Sequence, residues 1–334
     1  MPFVIVSLSM NRNYRWLACS IVLTIVAYGL WIGYQDHKQI VAAIGKIGVQ
    51  GFLVLCLLSS FNYALRYLRW KYFLKQLGDE VGVWEGLMCY ISGFALTTTP
   101  AKAGEVVRSL YFKRRHGINY SHTLSCLLTE RIMDALVSVL LGALALYAFE
   151  KVRWVGVAFT LCIIVVFIFI SYNDLFLRLL ERLRVIKLEA FSRLLDSVPV
   201  FLARAKKLFR PRPFTIGMII GLIAWSAEGI AFAWLAQKLG GEASPLLYVS
   251  IFCIALVVGG LTFLPGGLGG TEVVLYMLAV ASGLGSAEAL AATLLIRLAT
   301  LWYAVFLGLL SILWLESNDV NYELNDSSTS RSDC

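Results

Sequence analysis

Eight apolar runs, at residues 14–34, 49–68, 84–98, 122–149, 152–171, 214–239, 246–264 and 288–314, leave few architectures open to this 334-residue chain. Several approach or exceed the ~18 apolar residues that cross a bilayer. Hydrocarbon offers no water to backbone N–H and C=O groups, so each run must satisfy its own hydrogen bonds as a helix. Only 15% of the residues are charged and mean hydropathy is +0.76, whereas a water-soluble domain carries about a quarter charged residues. The chain reads as an all-α polytopic membrane protein.

The run at 14–34 follows Arg12 and Arg15. It is long and no A-x-A-like cleavage site follows it, so it reads as a retained helix rather than a signal peptide. The seven cysteines fall mostly inside apolar runs without a C-x-x-C pair and serve as small apolar side chains. Three histidines without H-E-x-x-H give no metal site, and no cofactor is expected. The net charge of +8 comes largely from ten Lys/Arg between Asn173 and Pro213, against four Asp/Glu. With no nucleic-acid recognition motif beside them, they read as a cytoplasmic segment obeying the positive-inside rule and touching anionic lipid head groups.

Two segments repeat an unusual design. "LTTTPAKAGEVVRSLYF" (96–112) and "LTFLPGGLGGTEVVLYM" (261–277) both end an apolar run in Leu-Thr, then add proline, small residues and Glu-Val-Val. Glu105 precedes Arg131 by 26 residues and Glu272 precedes Arg297 by 25, each arginine lying inside a long apolar run. "LKQLG" before the first segment is echoed by "LAQKLG" before the second. Proline breaks a helix, and the freed backbone groups survive in a bilayer only within protein or a wet cavity. Pro100, Gly104, Pro265, Gly266, Gly267, Gly269 and Gly270 are therefore expected as hairpin hinges.

Counting Lys/Arg sets the orientation. With a cytoplasmic N-terminus and a hairpin at 84–112 that enters and leaves from the cytoplasm, 19 Lys/Arg fall inside and five outside. A full crossing at 84–98 would put Lys113, Arg114 and Arg115 outside, against the rule. The expected fold class is thus six full transmembrane helices plus two re-entrant helical hairpins in an inverted repeat. Its parts are a cytoplasmic N-terminus (1–13), a first membrane half (14–171) with a hairpin at 84–112, a basic cytoplasmic segment (172–213), a second membrane half (214–315) with a hairpin at 246–283, and a polar tail (316–334). The tail's composition is that of a disordered segment. Both termini are cytoplasmic. Broken helices in inverted repeats are a recurring transporter design.

Ionisable groups in a membrane are expensive and usually face the bundle interior. Glu105, Arg108, Glu130, Arg131, Asp134, Glu228, Glu272 and Arg297 are the candidates for lipid binding or coupling. Arginine can meet a lipid phosphate and glutamate can carry a proton. The same Glu–Arg pairs could instead brace the hairpins against the long helices. Either way Glu105 is expected near Arg131 or Arg297, and Glu272 near the other.

"TTTPAKAGEVVRSLYFKRR…TERIMDALVSVLLGAL" and "FLPGGLGGTEVVLYMLAVASG…LLIRLATLWYAVFLGLL" resemble the flippase-like membrane family related to the transmembrane region of lysylphosphatidylglycerol synthases, the YbhN-like or UPF0104 group. The resemblance covers roughly residues 14 to 314. It implies a multi-pass protein of the bacterial or archaeal cytoplasmic membrane, linked to translocation of lipids or lipid-linked glycans. The aminoacyl- and glycosyl-transferase activities of related proteins belong to soluble domains for which this chain leaves no room, so no enzyme activity is carried over. Two expectations follow. One is a lipid transporter with a membrane lipid as substrate. The other is a membrane-embedded enzyme or accessory subunit, partnered with a lipid- or glycan-synthesis enzyme. An enzyme would concentrate its acid–base groups on one face of the membrane, and the near-symmetric Glu and Arg positions favour the transporter.

The topology is open to direct test. Single cysteines placed at Arg115 and Lys187 should react with an impermeant maleimide from the cytoplasm, and those at Glu242 and Ser286 only from outside. Labelling of position 115 from outside would make the first hairpin a full crossing.

Overall fold

The computed structural model describes residues 37–99, 105–148, 204, 206–262 and 264–332. The expected crossings at 14–34 and 152–171, most of the basic segment and the first hairpin tip, with Pro100 and Gly104, lie outside the described residues. Among those described, the secondary structure is helical throughout, without a strand. The elements are α1 (His37–Leu77), α2 (Val83–Ser92), α3 (Val107–His116), α4 (Tyr120–Ala148), α5 (Pro211–Lys238), α6 (Pro245–Leu261), α7 (Gly270–Ala281), α8 (Ser286–Arg297) and α9 (Tyr303–Ser332).

Among the described residues, three stretches are long and apolar enough to cross a membrane: Ile40–Leu77, Pro211–Lys238 and Ser286–Asn318. Helix α4 has 29 residues, roughly 40 Å at ~1.5 Å per residue, and carries Glu130, Arg131 and Asp134 at its centre. The two proline-containing segments give short helices. α2 ends in a tighter turn at Gly93–Leu96 before α3, and α6 stops at Leu261 before a turn at Pro265–Gly267 and α7. Helix α1 outruns the apolar run at 49–68 because Arg69, Trp70, Phe73 and Leu74 are buried, so packing continues it to Leu77. Helix α9 likewise continues to Ser332, a correction to the disorder expected from the polar composition of that tail.

The interior is built by reciprocal contacts between the halves. Helix α1 packs along α5. Where they meet, the Asn62 side-chain amide donates to the Ala224 carbonyl at 2.8 Å. Each of these residues stands 16 positions before a glycine that ends its helix in the left-handed region, Gly78 (φ 98) and Gly240 (φ 99). Two counterpart positions of the repeat therefore touch. The hairpins are exchanged in the same way: α2 and its turn lie on α9, and α6 lies on α4. Gly142 and Gly308, each 11 residues beyond its in-helix arginine, allow the approach. A Cβ at Gly142 would meet Ile254, and one at Gly308 would overlap the backbone of Ala95. The chain needs a missing side chain at the same place in both halves.

The Arg115 side chain is 7% exposed and paired with Glu85, whereas Arg114 is 45% exposed. Arg114 is the better residue to label on that helix.

Candidate functional site

The first hairpin closes on an ionic cluster held by three elements. Helix α1 brings Arg66 and Arg69, the hairpin brings Glu105 and Arg108, and α4 brings Glu130, Arg131 and Asp134. Their spacing explains the convergence, because residues three or four apart share a helix face. Glu130 sits at the centre. It lies 3.2 Å from Arg66, 3.5 Å from Arg69 and 3.1 Å from Arg108, and accepts the Tyr90 hydroxyl at 2.5 Å. Asp134 pairs with Arg69 at 2.5 Å and accepts the Trp225 indole N–H at 3.0 Å. Glu105 pairs with Arg108 and, at 3.1 Å, with Arg131, and accepts the Thr97 hydroxyl at 3.1 Å.

Aromatic rings close the cluster. The Arg108 guanidinium lies 4.6 Å from the ring centres of both Trp70 and Tyr90. Arg66 lies 5.5 Å from Phe94 and 5.4 Å from Trp225. Such faces supply cation–π attraction where water is excluded. Two glycines make room: a Cβ at Gly221 would meet Arg69, and one at Gly93 would meet Arg108 and the Glu105 carbonyl.

The second hairpin closes on a single pair. Glu272 and Arg297 meet at 2.5 Å. Arg297 also donates to the Gly266 carbonyl at 2.9 Å, and Glu272 accepts the Gly269 N–H at 2.7 Å. The carboxylate thus caps the start of α7 while the arginine holds the turn before it. Gly266, Gly267 and Gly269 have φ of 63, 68 and 87, a backbone that glycine adopts at least cost. At Gly270 a Cβ would crowd Thr262. Pro265 opens the turn. Just after Arg297 the helix widens into a π turn at Leu298–Trp302, and the Thr300 carbonyl there accepts the Tyr63 hydroxyl. The two interrupted segments approach each other, since a Cβ at Gly266 would lie 3.4 Å from the Thr98 Cα.

Both expected pairings are present, Glu105 with Arg131 and Glu272 with Arg297. Five of the eight sequence candidates converge at the first hairpin and two at the second. Glu228 stands apart, buried on α5 within electrostatic reach of Tyr63 and Cys253. Sequence reasoning missed Arg66, Arg69, Tyr90 and Trp225. It counted Arg66 and Arg69 as cytoplasmic loop charges, but they are 6% and 0% exposed. Removing them leaves 17 inside against five outside, and the bias survives. The overlooked signal was their i, i+3 spacing among Tyr63, Tyr67 and Trp70, all on one helical face. Among the described residues no group of His, Cys, Asp or Glu could hold a metal ion.

Buried guanidinium–carboxylate clasps on interrupted apolar helices define an integral membrane protein with a charged interior. The chain belongs to the family described as the lysylphosphatidylglycerol synthase TM region, whose model matches residues 15–308. It is 24% identical over 323 residues to a UPF0104 membrane protein of Pyrococcus horikoshii, covering 88% of this chain and 95% of that one. A UPF0104 membrane protein of Methanothermobacter thermautotrophicus is 27% identical over 316 residues, covering 90% and 92%. A shorter match, 26% over 122 residues, links 36% of this chain to 19% of the glycosyltransferase AglD of Haloferax volcanii.

The cluster sets an order of stability losses. Glu130→Gln leaves four arginines facing two carboxylates, and Glu272→Gln strips Arg297 of its carboxylate. Each should cost ~3–5 kcal/mol, as uncompensated buried charges do. Glu272→Gln with Arg297→Gln together should cost less than Glu272→Gln alone. Thermal unfolding in detergent measures this, and equal losses in the single and double variants would contradict a direct pair.

Proposed function

We propose that the protein is a flippase-like lipid transporter that moves a phospholipid or lipid-linked head group between leaflets. In this reading it has six full crossings and two re-entrant hairpins that enter from opposite faces as an inverted repeat. It sits in the cytoplasmic membrane of a bacterium or archaeon, with both termini in the cytoplasm and the basic segment 172–213 against anionic head groups. The relatives named above are archaeal.

One observation carries the reading: the two interrupted segments approach each other, at Thr98 and Gly266, beside buried charges on otherwise apolar helices. A scaffold has no need of seven clustered ionisable groups in hydrocarbon, where each is costly. A carrier of a charged head group does, because it must replace the water that the head group loses. Reciprocal packing of the hairpins supports one gate on each side of a shared site, built from one design used twice.

The similarity to AglD favours a second reading, an accessory subunit for a lipid- or glycan-modifying enzyme. The two part in reconstitution. As a transporter, the purified protein alone should expose inner-leaflet fluorescent phospholipid to an impermeant quencher. Glu105→Gln and Glu272→Gln should each abolish that exposure per folded molecule. If the glutamates only brace the fold, activity will instead track the folded fraction. Lipid movement that requires a co-purified glycosyltransferase or lipid synthase would favour the accessory reading.

A further inference from the structure

We propose that the two hairpin sites have different tasks: the first seats a phosphate-bearing head group at Arg131, and the second is a clasp that binds no ligand. The proposal rests on the transport reading only for the source of the ligand, a lipid.

The charge balance separates the sites. Among the described residues the first cluster joins four arginines (66, 69, 108 and 131) to three carboxylates (105, 130 and 134). The second joins one to one. An unbalanced positive charge in a low-dielectric interior is costly and draws an anion. Exposure identifies the arginine that carries the excess. The Arg131 side chain is 27% exposed, whereas those of Arg66, Arg69 and Arg108 are 7%, 0% and 0%.

Exposure, rather than hydrogen bonding, sets Arg131 apart from Arg69. Arg131 Nη2 lies 3.1, 3.6 and 3.8 Å from Glu105, Glu130 and Asp134. Neither that nitrogen nor Nε makes a hydrogen bond among the described residues. Arg131 is held near carboxylates by charge, and two of its donors, both shielded from solvent, lack a hydrogen-bond acceptor among the described residues, as do Nε and Nη1 of the fully buried Arg69. Two oxygens of a tetrahedral phosphate can accept the parallel N–H pair of the planar guanidinium. Arg297 differs on each count. It is 5% exposed, it donates to Glu272 and to the Gly266 carbonyl, and none of its buried nitrogens lacks a partner.

The counterparts in the second half agree. Three residues after Glu105 stands Arg108, and three after Glu272 stands Leu275. Flanking Arg131 are Glu130 and Asp134, and at the same offsets around Arg297 are Ile296 and Thr300. Both segments carry a Glu–Arg clasp, and the first surrounds it with the further charges that a ligand needs.

The test is thermal stabilisation of the purified full chain in uncharged detergent, titrated with phosphatidylglycerol, diacylglycerol or inorganic phosphate. Phosphatidylglycerol should stabilise the wild type at concentrations where diacylglycerol does not. Arg131→Gln should need about tenfold more phosphatidylglycerol, the loss expected for a charge-assisted hydrogen bond, and Arg131→Lys should fall between. Glu105→Gln raises the charge excess and should bind more tightly, which a brace would not do. Lys46→Gln, at an exposed cation, should bind like the wild type.

Equal stabilisation by diacylglycerol overturns the proposal, as does unchanged binding by a folded Arg131→Gln variant. If that variant does not fold, weaker binding by Glu105→Gln overturns it. Stabilisation by inorganic phosphate alone supports the phosphate seat and overturns its lipid source. The transport reading fails separately. Wild-type protein that binds phosphatidylglycerol through Arg131 and moves no lipid leaves the seat standing and removes the transporter.

Discussion

Everything in the first half of this molecule turns on the desolvated carboxylate of Glu130. Three arginines and a tyrosine hydroxyl from α1, the hairpin and α2 converge on its two oxygens. A bare carboxylate in a low-dielectric interior would be far too costly to keep ionised. It is retained because guanidinium groups from separate elements neutralise it, and each of those elements is thereby fixed to α4. The same desolvation fixes the aromatic shell, since Trp70, Tyr90, Phe94 and Trp225 occupy the faces that water would otherwise take.

The exchange of hairpins between halves follows from a simpler need. An interrupted helix leaves backbone groups unpaired, and lipid cannot satisfy them. Each hairpin must therefore be covered by protein, and the long helix of the opposite half covers it. Gly142 and Gly308 are the sites where that cover is closest. Tyr63 donates to the Thr300 carbonyl within the π turn that leads into α9. Interruption and exchange are two parts of one solution.

Much of this was legible in the sequence, for a physical reason. Proline beside small residues within an apolar run, followed by Glu and a distant in-helix Arg, marks backbone and charge that hydrocarbon will not tolerate unpartnered. Those positions announced both helix interruptions and both pairs. Arg66 and Arg69 were not legible as cluster members, because a charge near the end of an apolar run looks the same whether it snorkels to the interface or turns inward. The asymmetry between the halves was hidden for a related reason. Net charge in a cluster is a sum over elements far apart in sequence, and Glu130, Asp134 and Arg69 come together only after α1 and α4 pack.

The central proposal is that the segments meeting at Thr98 and Gly266 gate a shared passage. Disulfide trapping tests it most directly, with Thr98→Cys and Gly266→Cys in a chain whose native cysteines are replaced. The account predicts that oxidation joins the two positions, stops lipid movement in reconstituted vesicles, and that reduction restores it. A protein that forms the bond and continues to move lipid, or one whose two positions never join, would contradict it.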